Sequence, residues 1–202
     1  MSIKPKGIKI ATIAKIGVLS ALAVVLMFLE VPIFPVYPWL KLDIADIPAL
    51  VGGFAMGPIA GIIIEAIKIG LSFVLKNSGT GGVGELANFT LAIALVLPAT
   101  LIYRFKKSRS GAIIGLAVGT VLMTGLAPIL NYYVLIPIFI QYLPEGFDVG
   151  GYIAKGAIPL TAIKAVLQSV LVILLYKPLS SILHKKSFKR EKTIEPDDNE
   201  LS

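Results

Sequence analysis

Seven polar side chains stand inside long apolar runs of this 202-residue chain. Lys164 and Gln168 lie four apart, on one face of a helix. Glu85 and Asn88 share a face at a spacing of three, and Glu65 and Lys68 repeat that spacing further upstream. Asn131 stands between Leu130 and Tyr132. A charged or amide group at membrane depth is costly, so each is a candidate functional group. On the last three apolar runs Glu85, Asn88, Asn131, Lys164 and Gln168 bring amides, one ammonium and one carboxyl without a nucleophile–base pair, which suits hydrogen bonding rather than bond breaking. Their chemistry fits a pocket for a neutral, planar or polyhydroxylated ligand. Each group also has a structural alternative. Asn88 and Gln168 can bond helix to helix, Lys164 can pair with Glu85, and Glu65 with Lys68 can neutralise each other or serve a proton relay.

Much other chemistry is excluded. There is no Cys, and the one His, His184, sits in a basic stretch near the C-terminus. Disulfides, zinc or haem ligation and a Ser-His triad therefore have no residues to work with. No metal site is expected, and no nucleic-acid partner, since basic and aromatic residues do not interleave outside the apolar runs.

The elements that must position the polar groups are helices in a bilayer. Hydrophobic residues make up 56% and charged residues 15%, against roughly 25% charged in soluble domains. Mean hydropathy is +0.86. Six apolar runs, at 8–29, 44–56, 58–76, 84–103, 111–140 and 157–176, predict an all-α integral membrane protein with six transmembrane helices. The second run is short, and Gly57-Pro58 sets it and the third as a tight helical hairpin. The fifth holds Pro128 and Pro137 and is expected to tilt, kink or end early.

Of the 19 Lys and Arg residues, within a net charge of +7, 14 cluster at the N-terminus, at 104–109 and at 177–192. With six alternating helices these fall on one side, which puts both termini in the cytoplasm. Outside lie the loops 30–43, 76–84 and 141–156. On this reading Lys164 is roughly 10 Å below the outer end of its helix at Ala157. The acidic tail beyond Lys192 is polar and expected to be disordered.

The first outer loop carries Pro32, Pro35 and Pro38 with Phe34, Tyr37 and Trp39. It serves either as an interfacial aromatic belt or as a lid over the pocket. The second, Asn77-Ser-Gly-Thr-Gly-Gly-Val-Gly84, is glycine-rich but lacks the lysine of a phosphate loop. Small residues recur at spacings of four on Gly53, Gly57 and Gly61 and on Gly111, Gly115 and Gly119, where internal packing is expected. Gly17 and Ala21, with Ala14 nearby, are a candidate partner face.

Three stretches carry a family resemblance: Pro38-Trp-Leu-Lys-Leu-Asp-Ile-Ala-Asp-Ile-Pro-Ala-Leu50, Gly53-Phe-Ala-Met-Gly-Pro-Ile-Ala-Gly61 and Gly79-Thr-Gly-Gly-Val-Gly-Glu-Leu-Ala-Asn88. With them the chain resembles the riboflavin-specific substrate-binding subunits (S components) of energy-coupling factor transporters, over roughly 8–180. The resemblance implies a six-helix domain over 1–180, a charged cytoplasmic tail over 181–202 and a multi-pass place in a prokaryotic plasma membrane. It implies riboflavin as transported ligand, without a cofactor, and no enzyme activity of the chain's own. The implied partners are a transmembrane coupling subunit and two cytoplasmic ATPases; the chain itself has no Walker motif. The implied vitamin site comprises Trp39, Leu40, Glu85, Asn88, Asn131, Lys164 and Gln168, and the implied coupling face Ala14, Gly17 and Ala21. Three other readings stay open: a stand-alone carrier coupled to an ion through Glu65 and Lys68, a membrane-embedded enzyme, and the same scaffold with another vitamin.

Overall fold

The computed structural model of the chain describes residues 10–76 and 80–191, with side chains as far as Leu175. The first lysines, part of the glycine-rich loop and the acidic tail lie outside the described residues. Helix α1 (Ile10–Phe28) leads into a two-strand pairing, β1 (Val31–Pro32) with β2 (Lys41–Leu42). Helices α2 (Ile47–Met56), α3 (Pro58–Lys76), α4 (Val83–Phe105) and α5 (Arg109–Leu130) follow. The chain continues through α6 (Ile136–Phe139) and α7 (Val149–Tyr152) into α8 (Ile158–Glu191). The expected domain boundary near 180 falls inside α8.

Among the described residues, five helical rods are long and apolar enough to cross a membrane: Ile10–Phe28, Pro58–Lys76, Val83–Phe105, Arg109–Tyr142 and Val149–Leu175. Helix α2 has 10 residues, about 15 Å of rise, half of the roughly 30 Å hydrocarbon core. It folds back on α3 at Gly57, whose φ of 104° suits a residue without a Cβ. The expected tight hairpin is therefore present.

One expectation needs correction. Residues 141–156 are mostly not a loop: a helical turn covers Ile140–Tyr142, and helix resumes at Val149. The last rod thus starts eight residues earlier than Ala157, and Lys164 lies fifteen residues along it, about 22 Å from that end. The loop between α1 and α2 is closed by the antiparallel pairs Val31↔Leu42 and Pro32↔Lys41.

The long rods are not uniformly α-helical. A π turn at Asn131–Leu135 joins α5 to α6, and another at Ile153–Ala157 joins α7 to α8. Each ends two residues before a proline, Pro137 and Pro159. Proline lacks an N–H and crowds the preceding turn, and a widened turn relieves both defects without ending the helix. The kink expected in the fifth run takes this form.

Packing follows the small residues. A Cβ on Gly115 would stand 2.6 Å from Ala99 O, and one on Gly119 2.5 Å from Leu95 O, so glycine lets α5 lie backbone-close to α4. Leu50, Ile64, Leu95, Leu116 and Met123 fill the core between α2, α3, α4 and α5. One stripe of α3 turns inward, Gly61, Ile64, Glu65, Lys68 and Ser72, at helical spacing.

Candidate ligand-binding site

The foot of the loop between α1 and α2 is held by ion pairs. Asp43 and Asp46 flank the start of α2, just after β2. Asp43 Oδ1 accepts from the Ala45 N–H at 2.9 Å, an Asx-type turn that fixes the local backbone. Its Oδ2 accepts from Lys164 Nζ of α8 at 2.9 Å. Lys164 also donates to Asn88 Oδ1 of α4 at 3.3 Å and lies 3.4 Å from Asp46 Oδ2. Gln168, one turn further along α8, donates to the Asp43 carbonyl at 3.3 Å.

Asp46 sits at the N-cap position of α2 yet makes no capping bond. Its carboxylate instead reaches Lys68 of α3, which donates to Oδ1. Lys68 Nζ is also 2.6 Å from Glu65 Oε2. Asp46, Glu65, Lys68 and Gln168 are all fully buried, and Asp43 and Lys164 nearly so. Three carboxylates thus face two ammoniums. Buried charges persist only when paired and hydrogen-bonded, and the pairing here ties loop, α3, α4 and α8 together. Lys164 has three N–H donors and spends two on hydrogen bonds. Gln168 Oε1 is buried without a hydrogen-bond partner.

The tip of the loop makes an aromatic cluster with the third outer segment. The Tyr37 ring meets Tyr152 edge-on, with centroids 5.1 Å apart, and also packs beside Trp39 and Phe147. Such edge-to-face pairs add about 0.5–1.5 kcal/mol each beyond area burial. Tyr152 donates from its hydroxyl to Asn131 Oδ1 at 3.0 Å. Asn131, the first residue of its π turn, donates in turn to Ala127 O at 2.8 Å. Leu40 and Tyr37 rest on Gly156 in the other π turn, where a Cβ would stand 2.9 Å and 2.8 Å from them.

The neck of the loop is clasped as well. Glu30 takes Lys41 Nζ at 2.5 Å and also pairs with Lys76 at the end of α3. Burial opposes the charged form of Glu30. The hydrogen bonds and charges of Lys41 and Lys76 outweigh it and hold the carboxyl below its ordinary 4.5.

Six of the seven expected site residues fall into two clusters. Asn88, Lys164 and Gln168 meet at the foot. Trp39, Leu40 and Asn131 lie around the tip, the last through Tyr152. Glu85 is buried in the first turn of α4, one turn before Asn88, and accepts from Thr80 Oγ1 at 2.8 Å. The counter-ions of Lys164 among these bonds are Asp43 and Asp46, which residue-by-residue reading of the helices had passed over. Phe147, Tyr152 and Gly156 were also missed. Asp43 and Asp46 were legible as acids at the edge of an apolar run; Tyr152 and Gly156 were hidden in a segment read as loop.

A short apolar helix beneath an aromatic loop, inside a bundle of membrane-length helices with buried polar groups, defines a membrane-embedded binding protein. A family model described as "ECF transporter, substrate-specific component" matches residues 11–176. The chain belongs to this family of transporter components, which are not enzymes. It is 36% identical to "Riboflavin transporter RibU" of Staphylococcus aureus (strain TCH60), over 84% of this chain and 90% of that one. It is 34% identical to "Riboflavin transporter FmnP" of Bacillus subtilis (strain 168), over 83% and 91%. Among solved structures it is similar to one described under "Structure and mechanism of the S component of a bacterial ECF transporter". That match has a TM-score of 0.73 at 37% identity, over 86% of this chain and 97% of that one.

Proposed function

We propose that this chain captures riboflavin from the outer side of a prokaryotic plasma membrane and delivers it inward as one subunit of an ECF-type importer. The observation that carries the reading is its likeness to two proteins named riboflavin transporters, at 36% and 34% identity across nine tenths of their lengths. The chemistry of the site supports it. Trp39 and Leu40 offer apolar area to the flat isoalloxazine ring. The remaining Lys164 N–H, the Gln168 acceptor, Asn88, Asn131 and Glu85 offer the mixed donors and acceptors that ring carbonyls and ribityl hydroxyls need.

In this reading the 1–180 domain crosses the membrane six times. Helix α2 and the loop foot together make the short crossing, and both termini lie in the cytoplasm beside the basic 104–109 loop, with 181–202 as a cytoplasmic tail. A transmembrane coupling subunit and two ATPases supply the energy. Ala14, Gly17 and Ala21 line up on an exposed face of α1, and Gly17 has open space where a Cβ would stand. Such a stripe suits close contact with a partner helix.

The test is the visible absorption spectrum of the detergent-purified protein, followed by riboflavin titration. Trp39 is the one tryptophan, so its quenching reports the loop tip alone. A flavin band or tight saturable quenching is the expected result. A colourless protein that ignores riboflavin but binds another vitamin overturns the substrate assignment.

A further inference from the structure

Lys68 lies on α3, fully buried, and the proposed vitamin contacts do not include it. Its ammonium donates to Asp46 Oδ1, while the other oxygen of the same carboxylate stands 3.4 Å from Lys164 Nζ. Asp46 is thus a two-sided bridge between an ammonium on α3 and one on α8. Lys164 gives its two closer contacts to Asp43 and Asn88, at 2.9 Å and 3.3 Å. Among the described residues its third donor has only the 3.4 Å ion-pair contact with Asp46 Oδ2, and Lys68 competes for that carboxylate from its other oxygen.

We propose that Lys68 is a positioning residue for ligand binding: by engaging Asp46 it keeps Lys164 on Asp43 and Asn88, with one N–H turned to the ligand. Without Lys68, the buried Asp46 carboxylate loses its hydrogen-bonded counter-ion and draws the Lys164 ammonium the few tenths of an ångström that separate them from a full hydrogen bond. In a buried setting that attraction is strong and poorly screened. Lys164 then trades its contact with the ligand for one with Asp46. This inference rests on the proposed riboflavin site.

The groups facing one another are Asp43, Asp46, Glu65, Lys68 and Lys164. Their count of three acids to two bases makes two compensating variants formally alike. Lys68→Met with Asp46→Asn and Lys68→Met with Glu65→Gln each leave two acids and one base, preserving the native surplus of one acid. They differ only in whether Asp46 still pulls on Lys164.

The experiment measures riboflavin affinity by Trp39 quenching on the full chain, with melting temperature recorded in parallel. Lys68→Met is expected to weaken binding about tenfold or more. Adding Asp46→Asn restores affinity to within about threefold of the native protein, whereas adding Glu65→Gln leaves the loss in place. Equal rescue by both double variants, or native affinity in Lys68→Met, overturns the proposal and marks the cluster as structural. Should Lys68→Met alone not fold, the two double variants are compared directly with each other, and equal affinity in both overturns the proposal. If the unaltered protein does not bind riboflavin, it is the vitamin assignment that fails.

Discussion

Lys164 Nζ lies 2.9 Å from Asp43 Oδ2, across 121 residues of chain. A lysine in the last rod therefore holds the foot of the loop between α1 and α2, and on the proposed function loop closure and ligand contact share one ammonium. Lys164→Ala is expected to weaken riboflavin binding by about 1–3 kcal/mol, since it also leaves Asp43 without its ion-pair donor. Asn131→Ala is expected to fall in the same range, because it strips the Tyr152 hydroxyl of its acceptor at the loop tip. Isothermal titration on both variants checks this; native affinity in both refutes the pocket.

The charge balance at the foot sets selectivity among flavins. A phosphorylated flavin brings extra negative charge to a site with three carboxylates and two ammoniums already paired. Like charges repel strongly where water is scarce. Flavin mononucleotide is expected to bind at least about tenfold more weakly than riboflavin. Competition titration decides it, and equal affinity would sink the claim.

Gly156 provides the seat for the loop tip. Gly156→Ala puts a methyl 2.8 Å from the Tyr37 ring and 2.9 Å from Leu40, too close for both to stay. Overpacking of this kind costs about 1–3 kcal/mol. The strain falls on the closed loop, so the expected signature is faster riboflavin release, read by stopped-flow fluorescence, with little change in the rate of binding.

Gly119→Val tests the fold apart from the site. Its first side-chain carbon would meet the Leu95 carbonyl at 2.5 Å, and a backbone oxygen cannot swing aside. A loss of about 1–3 kcal/mol in stability is expected from the overpacked α4–α5 contact. Thermal melting in detergent measures it; an unchanged melting point would mean the two helices are not so close.

The clasp at the loop neck is pH-dependent. Glu30 has a folded-state value below its ordinary 4.5, because its two lysines outweigh burial. A depressed carboxyl contributes stability above the unfolded value and loses it as pH falls through the folded one. Above about pH 5 the clasp is intact; it loosens progressively as the medium is acidified below pH 4.5. Trp39 fluorescence followed over that range should show a transition that Glu30→Gln abolishes.

Much of this was legible in the residues. Continuous apolar runs marked the rods, because a helix greasy on every face has nowhere to go but lipid. Polar residues inside those runs marked the foot, since buried Asn88, Lys164 and Gln168 need partners. What escaped notice was what those partners were. Asp43 and Asp46 sit at a boundary where acids look like ordinary caps, and only the three-dimensional approach of α3 and α8 turns them inward. The segment 149–156 escaped for another reason. Gly150, Gly151 and Gly156 read as loop residues, and the tertiary contact of Tyr152 and Gly156 with the first loop overrides that preference. The π turns did leave a trace, a proline two residues past each one, at Pro137 and Pro159.

Helix α2 begins at the charged foot and has the length of only half a bilayer, so on the proposed function the loop before it fills the outer half of its track. The way in is then stoppered by a loop rather than by a membrane-long rod. Helix displacements take microseconds to milliseconds, whereas loop excursions take nanoseconds to microseconds. On that reading, capture from a dilute medium is paced by how often a vitamin arrives, not by how long the doorway takes to open.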